Sequence, residues 1–407
     1  MGAAVAVTGI GLVTSAGVGV SRSWPVLLTG VSTAASLAEL AGLPVTLGCQ
    51  VPRFDPAEAV GPRRAWRLDR HVQFAVTAAR EAVTDAGLDP DGWAGDRVAV
   101  VLGNGGGGTT TWEREHATFL NAGADKVSPL ALPMSLPNMA AAQLGIDLRA
   151  RGPNLSVATA CASGATAIAV GRDLLRSGAA DVVLTGGTEA LLTPYNVAAF
   201  ARAGALSRRN DRPAAASRPF DAERDGFVLG EGAGILVLET VAHARSRGAH
   251  VWARLAGCGL TSDAFHVTAP DPDGAGATAA IRTALDDAAM SALDIDHVNA
   301  HGTSTPLNDA AEARVLRDMT QGRAVPVTSL KGVLGHALGA AGAIEAAGAV
   351  LSLRESLIPP TANVTRVDPA VDLDIVTGVP RVLTGDTVLS TSFGFGGQNA
   401  ALIFTRP

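Results

Sequence analysis

Lysine is nearly missing from this chain. Among 32 basic residues in 407, only Lys126 and Lys331 are lysines; the rest are arginines. A lysine kept inside a motif therefore draws attention, and Lys331 sits in one. Cysteine is scarce too. Cys49, Cys161 and Cys258 are odd in number and far apart, which excludes a disulfide framework and metal-ligand spacing. A reducing cytoplasm suits them. Charged residues make up 17%, and a net charge of -6 gives no reason to expect nucleic acid as a partner. The N-terminal run MGAAVAVTGIGLVTSAG lacks a basic leader, so it reads as a strand and glycine turn and not as a signal peptide. Ala6 stands where a myristoylation motif needs Ser or Thr. The apolar stretch from Gly335 to Leu353 carries Glu345, which suits a buried helix better than a membrane span. No low-complexity tract or linker interrupts the chain, so one continuous globular unit is expected.

What is present is apolar and small. The chain is 47% hydrophobic with 47 glycines, a composition for tight packing. β-branched runs such as Ala4–Thr8, Leu155–Thr159, Trp252–Gly259, His297–Ala300 and Ala401–Phe404 alternate with helical patterns at Arg70–Ala86, Ala162–Ser177, Gly274–Ala288, Asp309–Leu316 and His336–Glu355. That alternation predicts an α/β protein with helices covering its sheets. One plan occurs twice. LSVATACASGATAIAVGRDLLRSG and VPVTSLKGVLGHALGAAGAIEAAGAVLSLRES each read as strand, turn and small-residue helix with a charged end. A duplicated fold would bring the two helices face to face, since small residues permit close backbone approach.

The chemistry gathers at those turns. Cys161 lies where a strand meets a helix, a position where free N–H groups and the helix dipole favour a thiolate, predicting a lowered thiol pKa. His301 follows a strand in NAHGTSTP, and His336 opens the second helix, where the helix N-terminus favours a neutral ring able to donate to an oxyanion. The run Ser392–Gly397 (SFGFGG) offers backbone N–H groups close to a ligand. Two other runs offer less. GNGGGG at Gly103–Gly108 lacks the lysine ending of a phosphate loop, and FDAERDGFVLGEG at Phe220–Gly232 has no calcium-loop spacing.

Together TACASG, GGTEA, NAHGTSTPLND, KGVLGHALGAAGAIE and SFGFGG resemble, end to end, the elongating type II β-ketoacyl-ACP synthases of the thiolase superfamily. The resemblance implies a duplicated five-layer αβαβα sandwich, divided at about 1–250 and 251–407, and a dimer. It implies that Cys161 takes an acyl group from an acyl carrier protein. His301 and His336 would stabilise the enolate that malonyl thioester forms on losing carbon dioxide. Lys331, paired with Glu345, would orient the His336 region. The N–H groups of Cys161 and Phe395 would form the oxyanion hole, Thr303 and Thr305 would contact the pantetheine arm, and Phe393 and Phe395 would line the gate. No cofactor or metal is implied beyond the phosphopantetheine carried by the partner. Thiolases, initiating synthases with a Cys-His-Asn set, and chain-length factors without the cysteine do not match.

Three departures bear on specificity. Trp112 stands where a smaller aliphatic residue ends the acyl pocket in the fatty-acid enzymes; it either shortens the pocket or packs at the subunit interface. Gly332 replaces a serine after the motif lysine. A basic residue expected near Gly204 is missing, leaving Arg202, Arg208, Arg209, Arg63, Arg64 and Arg67 as the candidate docking surface for an acidic carrier. The expected activity is therefore condensation by a specialised polyketide-type synthase, with housekeeping fatty-acid elongation as the alternative. The pair is either a homodimer or a heterodimer with a chain-length factor. A non-condensing scaffold subunit and a decarboxylase alone are the readings from other classes.

Overall fold

A helix with no polar side has to be buried on every side. Ala341–Glu355 is such a helix: each residue from Ala341 through Leu353 is buried, Glu345 included. It packs against a second small-residue helix, Ser163–Arg176. A Cβ at Gly164 would come within 2.8 Å of Ala343 N, so only glycine allows the approach. The computed structural model, which describes residues 3–407, makes this pair the middle layer of the molecule.

The elements of the first half run β1 (Val5–Thr14), α1 (Arg70–Asp85), β2 (Val98–Gly103), α2 (Met139–Asp147), β3 (Asn154–Val157), α3 (Ser163–Arg176), β4 (Val182–Glu189) and β5 (Gly232–Thr240). The second half runs β6 (Ala253–Ser262), α4 (Ala275–Ala288), β7 (His297–Asn299), α5 (Pro306–Thr320), β8 (Pro326–Thr328), α6 (Ala341–Glu355), β9 (Asp374–Ile375), β10 (Thr387–Gly394) and β11 (Gln398–Thr405). Strand order is β9-β8-β7-β10-β11-β6-β1-β5-β4-β2-β3. The first half reads β3-β2-β4-β5-β1 and the second β8-β7-β10-β11-β6, the same order by position. Within these two runs of five, parallel pairing at β2 and β7 and antiparallel pairing at the other strands also repeat, and β9 adds a parallel pair with β8. The halves join where β1 meets β6 antiparallel, with Val5 opposite Leu255.

The middle helices pack on both halves of the sheet, α1 covers the outside of the first, and α4 and α5 cover the second. This is the thiolase-like five-layer α/β sandwich. Helix α1 is started by Asp69, whose side chain accepts the His71 N–H.

One reading of the sequence needs correction, and two elements add to it. Strand β5 follows the acidic run; it is buried on both faces, so it shows no alternation to reveal it. The second central helix begins at Ala341, not His336, because a short helix (Lys331–Leu334) and a turn (Leu338–Ala340) come first. Helix Thr109–Ala122, which was not foreseen, keeps only Thr111 buried, so its apolar residues do not mark an inner face.

Candidate active site

The chain leaves β3 and reverses through a tight turn, Ala160–Ala162, into α3. Ala160 takes φ 49, a left-handed conformation that costs a non-glycine residue about 1–3 kcal/mol. Hydrogen bonds hold it there: Thr159 N–H donates to Ser163 Oγ (2.9 Å), whose hydroxyl donates to Ala160 O (2.6 Å). The turn aims Cys161 at a cavity of about 530 Å³ also lined by His301, His336, Thr303, Thr305, Phe393 and Phe395. The backbone N–H groups of Phe395 and of Cys161 itself favour negative charge on the Cys161 sulfur.

His301 leaves the end of β7. Its backbone N–H donates to Glu312 Oε1 (2.8 Å), and that of Gly302 to Glu312 Oε2 (2.7 Å), so a buried carboxylate on α5 fixes the loop. Lys331 Nζ donates to His301 O (2.6 Å), approaches His301 Nδ1 (3.3 Å) and is paired with Glu345 Oε1. Lysine has no acceptor, so His301 Nδ1 accepts and the ring proton is at Nε2. The His301 and His336 rings are 5.3 Å apart, and Phe227 stacks edge-on against His336 at 5.3 Å. His336 is held by its backbone, which donates to Val228 O (2.7 Å) and accepts from Gly230 N (3.0 Å).

Burial dominates the electrostatics. It pushes the Cys161 thiol up to about 11, against the lowering by the Lys331 charge and the Phe395 N–H. The expected lowered thiol pKa is thus corrected: burial outweighs the helix N-terminus. Both rings are held well below the ordinary histidine range, first by burial and then by the Lys331 charge. They are neutral, as expected, but for another reason, since His336 does not begin a helix. Burial also raises the Glu345 carboxyl to about 7, opposed by Lys331.

Residues 3–244 match the family model of the Beta-ketoacyl synthase N-terminal domain, and residues 252–365 that of the C-terminal domain. The chain belongs to the β-ketoacyl synthase family. It is 42% identical over 406 residues to a 3-oxoacyl-[acyl-carrier-protein] synthase 2 of Synechocystis, covering 99% of this chain and 98% of that one. Among solved structures it is similar to the ishigamide ketosynthase/chain length factor, with TM-score 0.93, 34% identity and 100% of both chains covered. A type II polyketide ketosynthase, solved with its acyl-carrier protein and a bound hexaketide, gives TM-score 0.92 at 31% identity, again over 100% of both chains.

In this β-ketoacyl synthase the structure brings together Cys161, His301, His336, Lys331, Glu345, Thr303, Thr305, Phe393 and Phe395. Lys331 reaches His301, not His336 as expected: the His336 Nδ1 has no partner among the described residues, and the lysine acts on that ring through its charge. Trp112 lies outside the cavity of the single chain and is 56% exposed, on a surface helix with Phe119 and Leu120. The arginines divide. Arg202 and Arg208 are exposed beside Ala203–Ala205 at the cavity mouth, and Arg209 there is bonded to Glu223 O (2.5 Å). Arg63 and Arg67 are exposed next to α1, and Arg64 is paired with Asp147. Sequence reasoning missed Glu312, Asp309 and Phe227. Glu312 carried a signal: a carboxylate three residues after Asp309, on a helix whose neighbours Ala313 and Leu316 are core residues.

Proposed function

We propose that this protein is an elongating β-ketoacyl-ACP synthase that joins an acyl group on Cys161 to a malonyl unit by decarboxylative Claisen condensation. The observation that carries this reading is the His301–His336 pair sharing one cavity with Cys161, with Lys331 Nζ 3.3 Å from His301 Nδ1. The Cys161 sulfur attacks the acyl thioester carbonyl, whose oxyanion lies at the N–H groups of Cys161 and Phe395. The carrier thiol leaves and takes the thiol proton. Malonyl thioester then enters. His301 Nε2–H, with His336, donates to its thioester oxygen. The bond to the carboxylate breaks, carbon dioxide leaves and the electron pair becomes an enolate. The enolate carbon attacks the acyl-cysteine carbonyl, the carbon–sulfur electron pair returns to Cys161, and the thiolate takes a proton from solvent to restore the thiol. Thr303 and Thr305, whose hydroxyls lie 2.8 Å apart on the cavity wall, hold the pantetheine arm. The phosphopantetheine arrives with the carrier, and the enzyme uses no cofactor of its own.

The acidic carrier docks at Arg202 and Arg208, with Arg209 behind them and Arg63, Arg64 and Arg67 as a second patch. The chain works as a pair. Strand β3 is an unpaired sheet edge, and segment 109–157 exposes Trp112, Phe119, Leu120, Leu132, Leu136 and Leu155. That edge takes a second copy or a chain-length factor, and Trp112 meets the acyl chain only from across it. Residues 1–250 and 251–407 form the two halves, a division supported by the repeated strand order. Among the described residues no helix is long and apolar enough to cross a membrane, in keeping with the cytoplasm as its place of work.

The pathway is a specialised, polyketide-type one, supported by the likeness to polyketide ketosynthases over the whole chain. A fatty-acid role is favoured instead by the 42% identity to a 3-oxoacyl-ACP synthase. Intact-protein mass spectrometry of Cys161 with a ladder of acyl-carrier thioesters tests both. Loading confined to short or unsaturated chains is expected; efficient loading of long saturated chains gives the fatty-acid role. No loading, with or without a chain-length factor, overturns the synthase reading.

A further inference from the structure

Behind Cys161 stands a buried carboxylate that the mechanism above does not use. Glu189 ends β4 and is fully buried. Its hydrogen-bond partners are three backbone N–H groups. Gly105 and Gly339 donate to Oε2 (2.6 and 3.2 Å), and Gly106 donates to Oε1 (3.2 Å). Gly105 and Gly106 follow β2 in the first half of the chain. Gly339 belongs to the turn just after His336 in the second half. One carboxylate therefore ties the two halves together at the active site. Gly105 and Leu338, the neighbour of Gly339, both line the cavity beside Cys161.

The fit admits no side chains. A Cβ at Gly339 would lie 2.5 Å from Gly105 N and 2.6 Å from Glu189 Oε2, and one at Gly187 would lie 2.5 Å from Gly339 O. Leu338 itself holds φ 45, a left-handed conformation that needs support from its surroundings.

We propose that Glu189 is a positioning residue, whose carboxylate clamps the Gly105–Gly106 turn to the Leu338–Ala340 turn and so fixes the cavity wall beside the acyl group on Cys161. The proposal rests on the synthase reading above. The clamp also carries charge. Burial raises the Glu189 carboxyl to about 7, against the lowering by its three N–H donors and by His71. His71, on α1, is bonded through Nδ1 to Asp69 (2.9 Å), and its Nε2 has no partner among the described residues. An ionised Glu189 opposes the Cys161 thiolate, while Lys331 favours it.

The test is Glu189→Gln, which keeps the size, removes the charge and sets an NH2 group against one of the incoming N–H donors. Acyl loading of Cys161 from a carrier thioester and Cys161 alkylation by iodoacetamide are followed across pH in wild type and variant. Loading is expected to fall roughly tenfold or more, with the alkylation midpoint moving down by about one pH unit. A variant of lower Tm that keeps the wild-type loading rate and midpoint makes Glu189 merely structural and overturns the proposal. If the variant does not fold, hydrogen exchange in the wild type decides. Peptides holding Gly105–Gly106 and Gly339 should lose protection together as pH falls from 8 to 6, after correction for intrinsic rates. Independent exchange of the two overturns the clamp. A wild type that alkylates but neither loads nor condenses fails the synthase reading instead, and the alkylation and exchange results still judge Glu189.

Discussion

At Cys161 two opposing effects set the chemistry. Burial holds the thiol neutral, and the Phe395 and Cys161 N–H groups wait for negative charge to develop on it. Cys161→Ser and Cys161→Ala should both abolish condensation. Residual release of carbon dioxide from malonyl thioester should survive there and vanish when His301 or His336 is also replaced, measured by coupled carbon dioxide assay. Condensation that persists without Cys161 would sink the mechanism. Lys331 is buried with Glu345 and carries the His301 contacts. Lys331→Met leaves that carboxylate unpaired in the core and should cost about 3–5 kcal/mol in urea unfolding. The double variant Lys331→Met/Glu345→Leu should recover part of the loss. His297 adds a pH dependence outside the site. It is fully buried, neither ring nitrogen has a partner among the described residues, and burial pulls it down to about 3 from 6.5. Between those values the unfolded chain binds the extra proton, so the fold loses stability as pH drops below 6.5. The slope for this one group is about 1.4 kcal/mol per pH unit. His297→Phe should flatten the decline between pH 6 and 5 by about that much in denaturant titrations.

Among the elements, the meeting of α3 and α6 decides most. Gly164 and Ala343 touch backbone to backbone, and the same packing places Cys161 opposite the turn that follows His336. Gly164→Ala should therefore lower stability by about 1–3 kcal/mol, the usual range for overpacking a filled core. It should slow acyl loading as well, because the nucleophile turn lies just ahead of the substitution. A variant as stable as the wild type would show that the helices can part without cost. The small-residue pattern of both helices was legible in the sequence, and so was their pairing. The limits of the second were not. His336 and the residues after it look helical by composition, but Gly335 takes φ 68 and Leu338 φ 45, and the chain bends twice before α6 begins.

On the scale of the whole molecule, the open question is the acyl chain. Trp112 stands away from the chain's own cavity, so it limits chain length only by reaching a partner's. Trp112→Ala should leave the loading profile unchanged in a forced monomer and lengthen the accepted chain in the dimer. Equal profiles in both would remove Trp112 as the limit.

By itself the sequence determined the α/β class of fold and picked out Cys161, His301, His336 and Lys331 as candidate site residues. Strand and helix alternation, and glycines around a cysteine or histidine at the end of a strand, are short-range patterns; Lys331 stood out as one of two lysines, inside a motif, and the resemblance joined these residues into one site. The tertiary structure alone decided how those groups behave. Burial, which no local pattern reports, raises the thiol and keeps both rings neutral. Which ring Lys331 touches depends on how the end of β7 lies over α6, elements separated by tens of residues. The roles of Glu312 and Glu189 rest on backbone N–H groups donated by distant turns, contacts that form only once the two halves have closed on one another.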